Sequence, residues 1–288
     1  MRGIVLAGGS GSRLHPLTIA TSKQLLPVYD KPMIFYPLST LMLAGIQDIL
    51  VITTPHESNQ FRRLLGDGSR WGISLSYAVQ PNADGLAQSL IIGEEFISGE
   101  SVALILGDNI FFGAGMGTSL ERMNLLDGAC IFASQVDDPS AYGVVELDGN
   151  ARPISIEEKP KNPKSQLAVT GLYFFDKHAT EIAKNLSPSP RGELEITGVA
   201  LDYLERESLT VEMLSLDQTW LDAGTIESLY DAATRVHEIE TNIGKKINVP
   251  EEVAWRKGFI DDNQLMESAK LYPSSGYGDY LFSLLGDR

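Results

Sequence analysis

The sequence predicts an α/β protein built on a doubly wound, mostly parallel sheet, with a β-rich second part and a helical C-terminal appendage. Three observations carry that reading. Apolar runs of strand length alternate with helix-length segments through the first two-thirds of the chain, as they do where helices cover both faces of a sheet. The first run, Gly3-Ile4-Val5-Leu6-Ala7, passes directly into the glycine-rich stretch Gly8-Gly9-Ser10-Gly11-Ser12-Arg13-Leu14. From Glu227 onward the chain reads as helix.

Strands are expected over 3–7, 48–53, 75–78, 102–106 and 129–134. Between them, 33–44 reads as a helix closed by Gly45, and 86–96 and 116–126 carry apolar spacing of three and four. From about 140 the pattern becomes β-rich, with strands expected over 142–147, 154–159, 169–175 and 210–214 and helices over 178–185 and 197–206. The tail predicts helices over 227–240, 251–257 led by Pro250 as first helical residue, 261–270 and 277–285.

The 288 residues suffice for one large α/β domain with an appendage. Hydrophobic residues make up 43%, yet no run approaches a membrane span, so no membrane contact is expected. Lys plus Arg total 23 against 38 Asp plus Glu, a formal charge of −15, which argues against a nucleic acid polymer as partner. Small phosphorylated ligands remain compatible, and an acidic cleft holding them would recruit Mg²⁺. Met1-Arg2 leads into the first strand without a signal-peptide pattern, and Cys130 is the only cysteine. A cytoplasmic protein without disulfides is expected.

The glycine loop reads as a nucleotide-triphosphate site. Its glycines admit positive φ and let main-chain N–H groups face an anion, while Arg13 and then Lys23, in Ser22-Lys23-Gln24-Leu25-Leu26-Pro27, supply cations. A dinucleotide fingerprint would need glycine where Leu14 stands, and a P-loop would need Gly-Lys-Ser/Thr, which the loop lacks. The glycines alone would describe an ordinary turn.

Asp108 follows the apolar run 102–107, so its carboxylate is expected at the end of a central strand, a common place for a metal ligand. Gly107-Asp108-Asn109 also suits a plain Asx-type turn. Asp222, in Trp220-Leu221-Asp222-Ala223-Gly224-Thr225, has the same form and precedes a helix that Thr225 could cap. The two carboxylates together could hold one Mg²⁺ against phosphate oxygens. Glu157-Glu158-Lys159-Pro160 offers a carboxylate and a lysine to one ligand only if the strand ends or bends there, as Pro160 suggests. Gln80 suits the edge of a pyrimidine base. His15, His56, His178 and His237 are scattered without metal-ligand spacing or a partnered serine, and Cys130 reads as core.

These residues resemble, throughout the chain, the glucose-1-phosphate thymidylyltransferases of the sugar-nucleotidyltransferase superfamily. Carrying the resemblance are Leu6–Leu14, Ser22–Pro27, Gln80-Pro81 with Asp84-Gly85-Leu86-Ala87-Gln88, Leu106–Asn109, Tyr142-Gly143-Val144-Val145-Glu146, Glu157–Pro160, Gly192–Thr197 and Trp220–Asp222, in the family's order. The helical tail resembles that of the long form. The resemblance implies a Rossmann-like nucleotidyltransferase fold with a catalytic region 1–226, its nucleotide part about 1–135 and its sugar part about 136–226, and a helical region 227–288 for assembly and regulation. It implies the reaction of dTTP with α-D-glucose 1-phosphate to give dTDP-glucose and pyrophosphate, with Mg²⁺, in a homotetramer.

By the same resemblance Arg13 holds the departing pyrophosphate, Lys23 the reacting phosphates, Lys159 the sugar phosphate, and Asp108 with Asp222 the Mg²⁺. Leu6, Ala7, Gly8, Gly9, Gly11 and Gln24 belong to the nucleotide side. Gln80 and Gly85 read thymine, and Gly143, Glu158 and the backbone of Val169 hold glucose hydroxyls. Glu252 and Arg256 are expected at a second, regulatory site for dTDP-L-rhamnose; by spacing alone they are a surface ion pair. The chain departs from the family pattern at Gly198, where an aspartate is usual, and at Ala223, where a threonine is usual. Two rivals stand beside this reading: a uridylyltransferase on the same fold, since thymine and uracil differ by one methyl, and a non-catalytic sugar-nucleotide sensor.

Overall fold

The computed structural model describes residues 1–9 and 11–286. Its strands are β1 (Arg2–Ala7), β2 (Pro27–Val28), β3 (Lys31–Pro32), β4 (Asp48–Thr53), β5 (Ser74–Val79), β6 (Val102–Leu106), β7 (Asn109–Gly113), β8 (Ala129–Gln135), β9 (Gly143–Leu147), β10 (Pro153–Glu158), β11 (Leu167–Phe175), β12 (Leu209–Met213) and β13 (Gln218–Asp222). The helices are α1 (Phe35–Leu43), α2 (Ser58–Leu65), α3 (Gln88–Ile92), α4 (Glu94–Ile97), α5 (Met116–Arg122), α6 (Ala179–Asn185), α7 (Ile196–Glu205), α8 (Ile226–Ile243), α9 (Pro250–Arg256), α10 (Asp262–Lys270) and α11 (Gly276–Leu284).

One sheet carries both halves of the chain. Its path runs β10-β9-β11-β6-β1-β4-β5, with β8 on β11 and β12 on β8. The part from β5 to β6 is parallel throughout, and β11 enters antiparallel to β6. Parallel strands need cover on both faces, and β1 shows why its sequence is apolar at every position. Val5 and Ala7 enter the core on the side of α1, whereas Ile4 and Leu6 enter the core on the opposite side with Leu90 and Ile182. Ile4 and Val5 are fully buried, each worth about 1.5–3 kcal/mol relative to exposure.

The predicted strands of the nucleotide part are all present, and the β-rich strands that follow extend the same sheet. The helix expected over 86–96 is two short helices, α3 and α4, divided at Gly93, where a side chain would stand 2.9 Å from the Ile4 side chain. The helix expected over 116–126 ends at Arg122 and tightens into a 3₁₀ turn over Met123–Leu125. Helix α2 and the ribbon formed by β7 and β13 were not expected; the ribbon stands apart from the main sheet, antiparallel, with Asp222 opposite Asn109.

Residues 227–288 begin inside α8, whose N-terminus is closed by a capping box: the Thr225 hydroxyl accepts from the Ser228 N–H, and the Ser228 hydroxyl accepts from the Thr225 N–H. Pro250 is the first residue of α9, as its sequence position suggests. The helices beyond do not build a core of their own. Val253, Ala254, Leu265, Ala269 and Leu281 join the cluster that holds Val5, Val51 and Ile105. Asn248 locks the connection, its side-chain amide donating to the backbone oxygens of Tyr36 (3.2 Å) and Phe111 (2.9 Å). Among the described residues no helix is long and apolar enough to cross a membrane.

Candidate active site

Ligands of open α/β sheets bind beyond the carboxyl ends of the strands. There, the loop after β1, the segment after β5, the turn after β6, the end of β10 and the approach to α7 enclose a cleft of about 520 Å³, a size suited to a small molecule. Leu6, Gly8, Gly9, Arg13, Lys23, Gln24, Gln80, Gly85, Asp108, Gly143, Glu158, Lys159, Val169 and Asp222 line it. Ala7 and Gly11 share the loop but are not on its wall, and Ser10 lies outside the described residues. Glu252 and Arg256 stand apart on α9: Arg256 Nε donates to Glu252 Oε1 at 2.7 Å, and the Tyr280 hydroxyl donates to Glu252 Oε2 at 2.6 Å.

At one end the walls carry the charges suited to phosphate and metal. Gly9 and Gly11 have φ of 95° and 60°, the left-handed conformation the loop required. Arg13 is exposed on the cleft wall, and Lys23 is paired with Asp108 Oδ2. The other Asp108 oxygen accepts from Asn109 Nδ2 at 3.0 Å; Asn109 is itself fixed, its Oδ1 accepting from Trp220 Nε1 (2.6 Å) and Gly171 N (3.2 Å). Burial pushes the Asp108 carboxyl up, but the Lys23 charge and hydrogen bond, with Asn109, outweigh it and hold the carboxyl below its usual range.

Asp222 is hydrogen-bonded by the Tyr142 hydroxyl but has no cation paired with it as Asp108 has Lys23. Burial and then the charge of Asp108 push the Asp222 carboxyl up to about 6, against the pull of Lys23 and Arg13. Two carboxylates thus share too little positive charge. The two carboxylates offer the oxygen ligands a hard divalent cation prefers, and they are tied together by the Ala223 N–H donating to the Asp108 backbone oxygen at 3.0 Å. Among the described residues no cluster of three or more His, Cys, Asp or Glu forms a full metal cage, so most of a cation's shell would come from water and phosphate. The departure at Ala223 leaves this intact, since its methyl is fully buried and the contact to Asp108 is made by the backbone. At Gly198 a side chain would meet Leu186 at 3.2 Å, so the family's carboxylate would face an apolar neighbour here.

At the far end, β10 stops at Glu158, and Lys159 takes φ 42° before Pro160. The bend turns both side chains into one cleft, as the sequence required. Glu158 Oε2 accepts from the Thr197 hydroxyl at 3.1 Å, and Oε1 lies 3.7 Å from Lys159 Nζ and 3.6 Å from an Arg191 nitrogen. Burial, then Glu195, raise the Glu158 carboxyl above its usual value, opposed by Lys159, Thr197 and Arg191. Arg191 was missed in the sequence although it immediately precedes Gly192–Thr197. The helix-side motif was visible; the fold alone brings its neighbour to Glu158. Tyr142, Trp220 and Glu195 also line the cleft without having been expected.

Elsewhere on the cleft wall, Gln80 is buried, and Gly85 at φ 109° lies so close to Leu194 that a side chain would meet its backbone oxygen at 2.3 Å. Leu194 N donates to the Asp84 oxygen at 2.7 Å, and Ala87 N to the Leu194 oxygen at 3.0 Å.

The nucleotidyl transferase family model matches residues 2–239. A relative from Mycolicibacterium smegmatis (strain ATCC 700084 / mc(2)155), named glucose-1-phosphate thymidylyltransferase, is 59% identical over 285 residues, covering 99% of each chain. One of the same name from Mycobacterium tuberculosis (strain ATCC 25618 / H37Rv) is 57% identical with the same coverage. Among solved structures, one named for a glucose-1-phosphate thymidylyltransferase from Bacillus anthracis, in complex with a sucrose, matches with a TM-score of 0.75 at 43% identity, covering 82% of this chain and 94% of that one. A UDP-glucose pyrophosphorylase complexed with UDP-glucose shares the fold, with a TM-score of 0.72 at 24% identity, covering 83% and 98%.

Proposed function

The chain belongs to the nucleotidyl transferase family, and from that premise we propose that its cleft joins dTTP to α-D-glucose 1-phosphate, giving dTDP-glucose and pyrophosphate. A phosphate oxygen of the sugar phosphate attacks the α-phosphorus in line. The bond from that phosphorus to the bridging oxygen breaks, and the electron pair leaves with pyrophosphate. No covalent enzyme intermediate is needed.

Both substrates are anions, so neutralisation and alignment are the main tasks. Arg13 and the amides of the glycine loop receive the β- and γ-phosphates, and Lys23 the phosphates that react. Lys159 and Arg191 receive the sugar phosphate, while Glu158, with the backbone of Gly143 and Val169, holds the hydroxyls. Gln80 and Gly85 meet the base, Leu6, Gly8 and Gln24 shape the nucleotide wall, and Ala7 and Gly11 support the loop behind it. In the free protein Lys23 is engaged with Asp108; a triphosphate competing for that lysine frees the carboxylate. Asp108 and Asp222 would hold Mg²⁺, which would supply positive charge to the phosphates.

The observation that carries the reading is that Arg13, Lys23, Asp108, Lys159 and Asp222, spread over most of the chain, line one cleft. A sugar-nucleotide sensor would have no use for that complete set. The test is pyrophosphate release from dTTP with glucose 1-phosphate and Mg²⁺ each withheld in turn. Release that requires both supports the reading, and release without glucose 1-phosphate contradicts it. UTP turnover in the same assay measures a preference that one methyl limits to about 1–3 kcal/mol. Assembly as a homotetramer, and regulation at Glu252 and Arg256, belong to the same proposal and rest on the family likeness.

A further inference from the structure

Gln80 ends in an amide whose two faces are opposite in character, an N–H₂ that donates and an oxygen that accepts. Which of them meets the base decides which bases fit. Gln80 Nε2 donates to Gln88 Oε1 at 2.7 Å and to the Gly85 backbone oxygen at 3.2 Å. Gln88 Nε2 in turn donates to Asp84 Oδ2 at 2.9 Å. The direction of this chain follows from chemistry: a carboxylate has no N–H to give, so Gln88 must point its nitrogen at Asp84 and its oxygen at Gln80. Gln80 must then answer with its nitrogen. Its oxygen is left facing the glycine loop, 2.8 Å from where a side chain on Gly8 would begin, and both residues line the cleft.

We propose that Asp84 and Gln88 are positioning residues for base selection, a relay that holds Gln80 with its oxygen toward the base, so that the cleft accepts a pyrimidine with a ring N3–H and rejects cytosine, whose N3 only accepts. The proposal rests on the reading of Gln80 as the base contact. The relay is anchored where the fold is tight: Asp84 and Ala87 are both hydrogen-bonded through their backbones to Leu194, and Gln80 N donates to the Thr53 oxygen at 2.8 Å, extending the β5 pairing. The Gly85 oxygen is a second, weaker lock on the same amide, which limits the loss when the relay alone is disabled.

The experiment measures kcat/KM for dTTP and for dCTP in the same enzyme, because a general structural defect lowers both and leaves their ratio unchanged. Asp84→Asn removes the fixed acceptor, lets both amides turn, and is expected to lower the dTTP:dCTP ratio about threefold to tenfold. Gln88→Leu, which cuts the relay at its middle, should lower it by a similar factor. The double variant Asp84→Asn/Gln88→Glu distinguishes polarity from packing. The introduced carboxylate at position 88 can only accept, from the new amide below and from Gln80 above, so the Gln80 oxygen again faces the base and the ratio should return to near the parental value. A parental ratio in both single variants, or a double variant no more selective than Asp84→Asn, overturns the relay. A parent enzyme that turns over neither dTTP nor UTP overturns instead the functional reading beneath it.

Discussion

Two buried clusters of lysines and carboxylates in this molecule have similar composition and opposite design. In one, Lys31 and Lys246 face Asp30 and Glu240: Lys31 Nζ lies 2.6 Å from Asp30 and 3.1 Å from Glu240, while Lys246 pairs with Asp30 and lies 3.7 Å from Glu240. Glu240 also accepts from the Ile247 N–H at 2.9 Å. Two positive charges meet two negative ones, and the cluster ties the β2–β3 turn to the end of α8 and the start of the tail. In the other, Asp108 takes Lys23 for itself and Asp222 is left short of positive charge beside an open cleft. A balanced network off the cleft fixes the fold, whereas an unbalanced one at the cleft has capacity left for a ligand.

The largest effect that could break the comparison is on stability. Lys31→Met leaves two buried carboxylates with one lysine and should cost about 3–5 kcal/mol, read as a drop in denaturant midpoint, with the KM for both substrates unchanged. A raised KM with normal stability would place this cluster in the site instead.

Asp222→Asn should do the reverse and stabilise the free protein. The folded carboxyl titrates at about 6 against an ordinary 3.8, so the folded state binds the proton more tightly than the unfolded chain. Its burial penalty is therefore full above pH 6 and fades as pH falls toward the unfolded value. The gain from Asp222→Asn should be about 2–3 kcal/mol at pH 8 and about 1 kcal/mol at pH 4.5. Thermal midpoints at the two pH values check it, and a gain that does not shrink on acidification refutes the assignment.

Gln80→Ala sharpens the comparison within the cleft itself, between the ends proposed for the base and for the sugar. It should raise the KM for dTTP by about tenfold by leaving base-edge groups unpaired, and move the KM for glucose 1-phosphate far less. A change confined to glucose 1-phosphate would put Gln80 at the wrong end.

The smallest effect is expected at the tail. The Arg256 side chain is 52% exposed, so its pair with Glu252 contributes well under about 1 kcal/mol to stability. On the regulatory proposal, Arg256→Ala relieves inhibition by dTDP-L-rhamnose with uninhibited turnover nearly unchanged. An inhibition titration with both substrates saturating gives the answer, and unchanged inhibition returns the pair to the surface.

The two clusters also differ in how far the sequence revealed them. Asp108 and Asp222 were legible because each closes an apolar run, and Arg13 and Lys23 because they follow a glycine loop; such signals are local. The closed cluster left no trace, since Lys31 and Glu240 are separated by 209 positions and meet only after folding. Arg191 was invisible for the same reason, since it sits in the turn before α7 and its partner Glu158 ends β10. The parallel strands were legible from their continuous apolar runs. The β7–β13 ribbon was not, because Asn109–Gly113 follows β6 so closely that one apolar stretch conceals two strands, and its partner arrives from more than a hundred residues away.

The central claim is that Asp108 and Asp222, two carboxylates with a single closely paired lysine between them, hold a metal for nucleotidyl transfer. Its most direct test is the rate of pyrophosphate release at limiting Mg²⁺, with both substrates saturating, in the parent, Asp108→Asn and Asp222→Asn. Each variant should stay folded and lose turnover by about a hundredfold or more. Near-parental rates in both would contradict the claim.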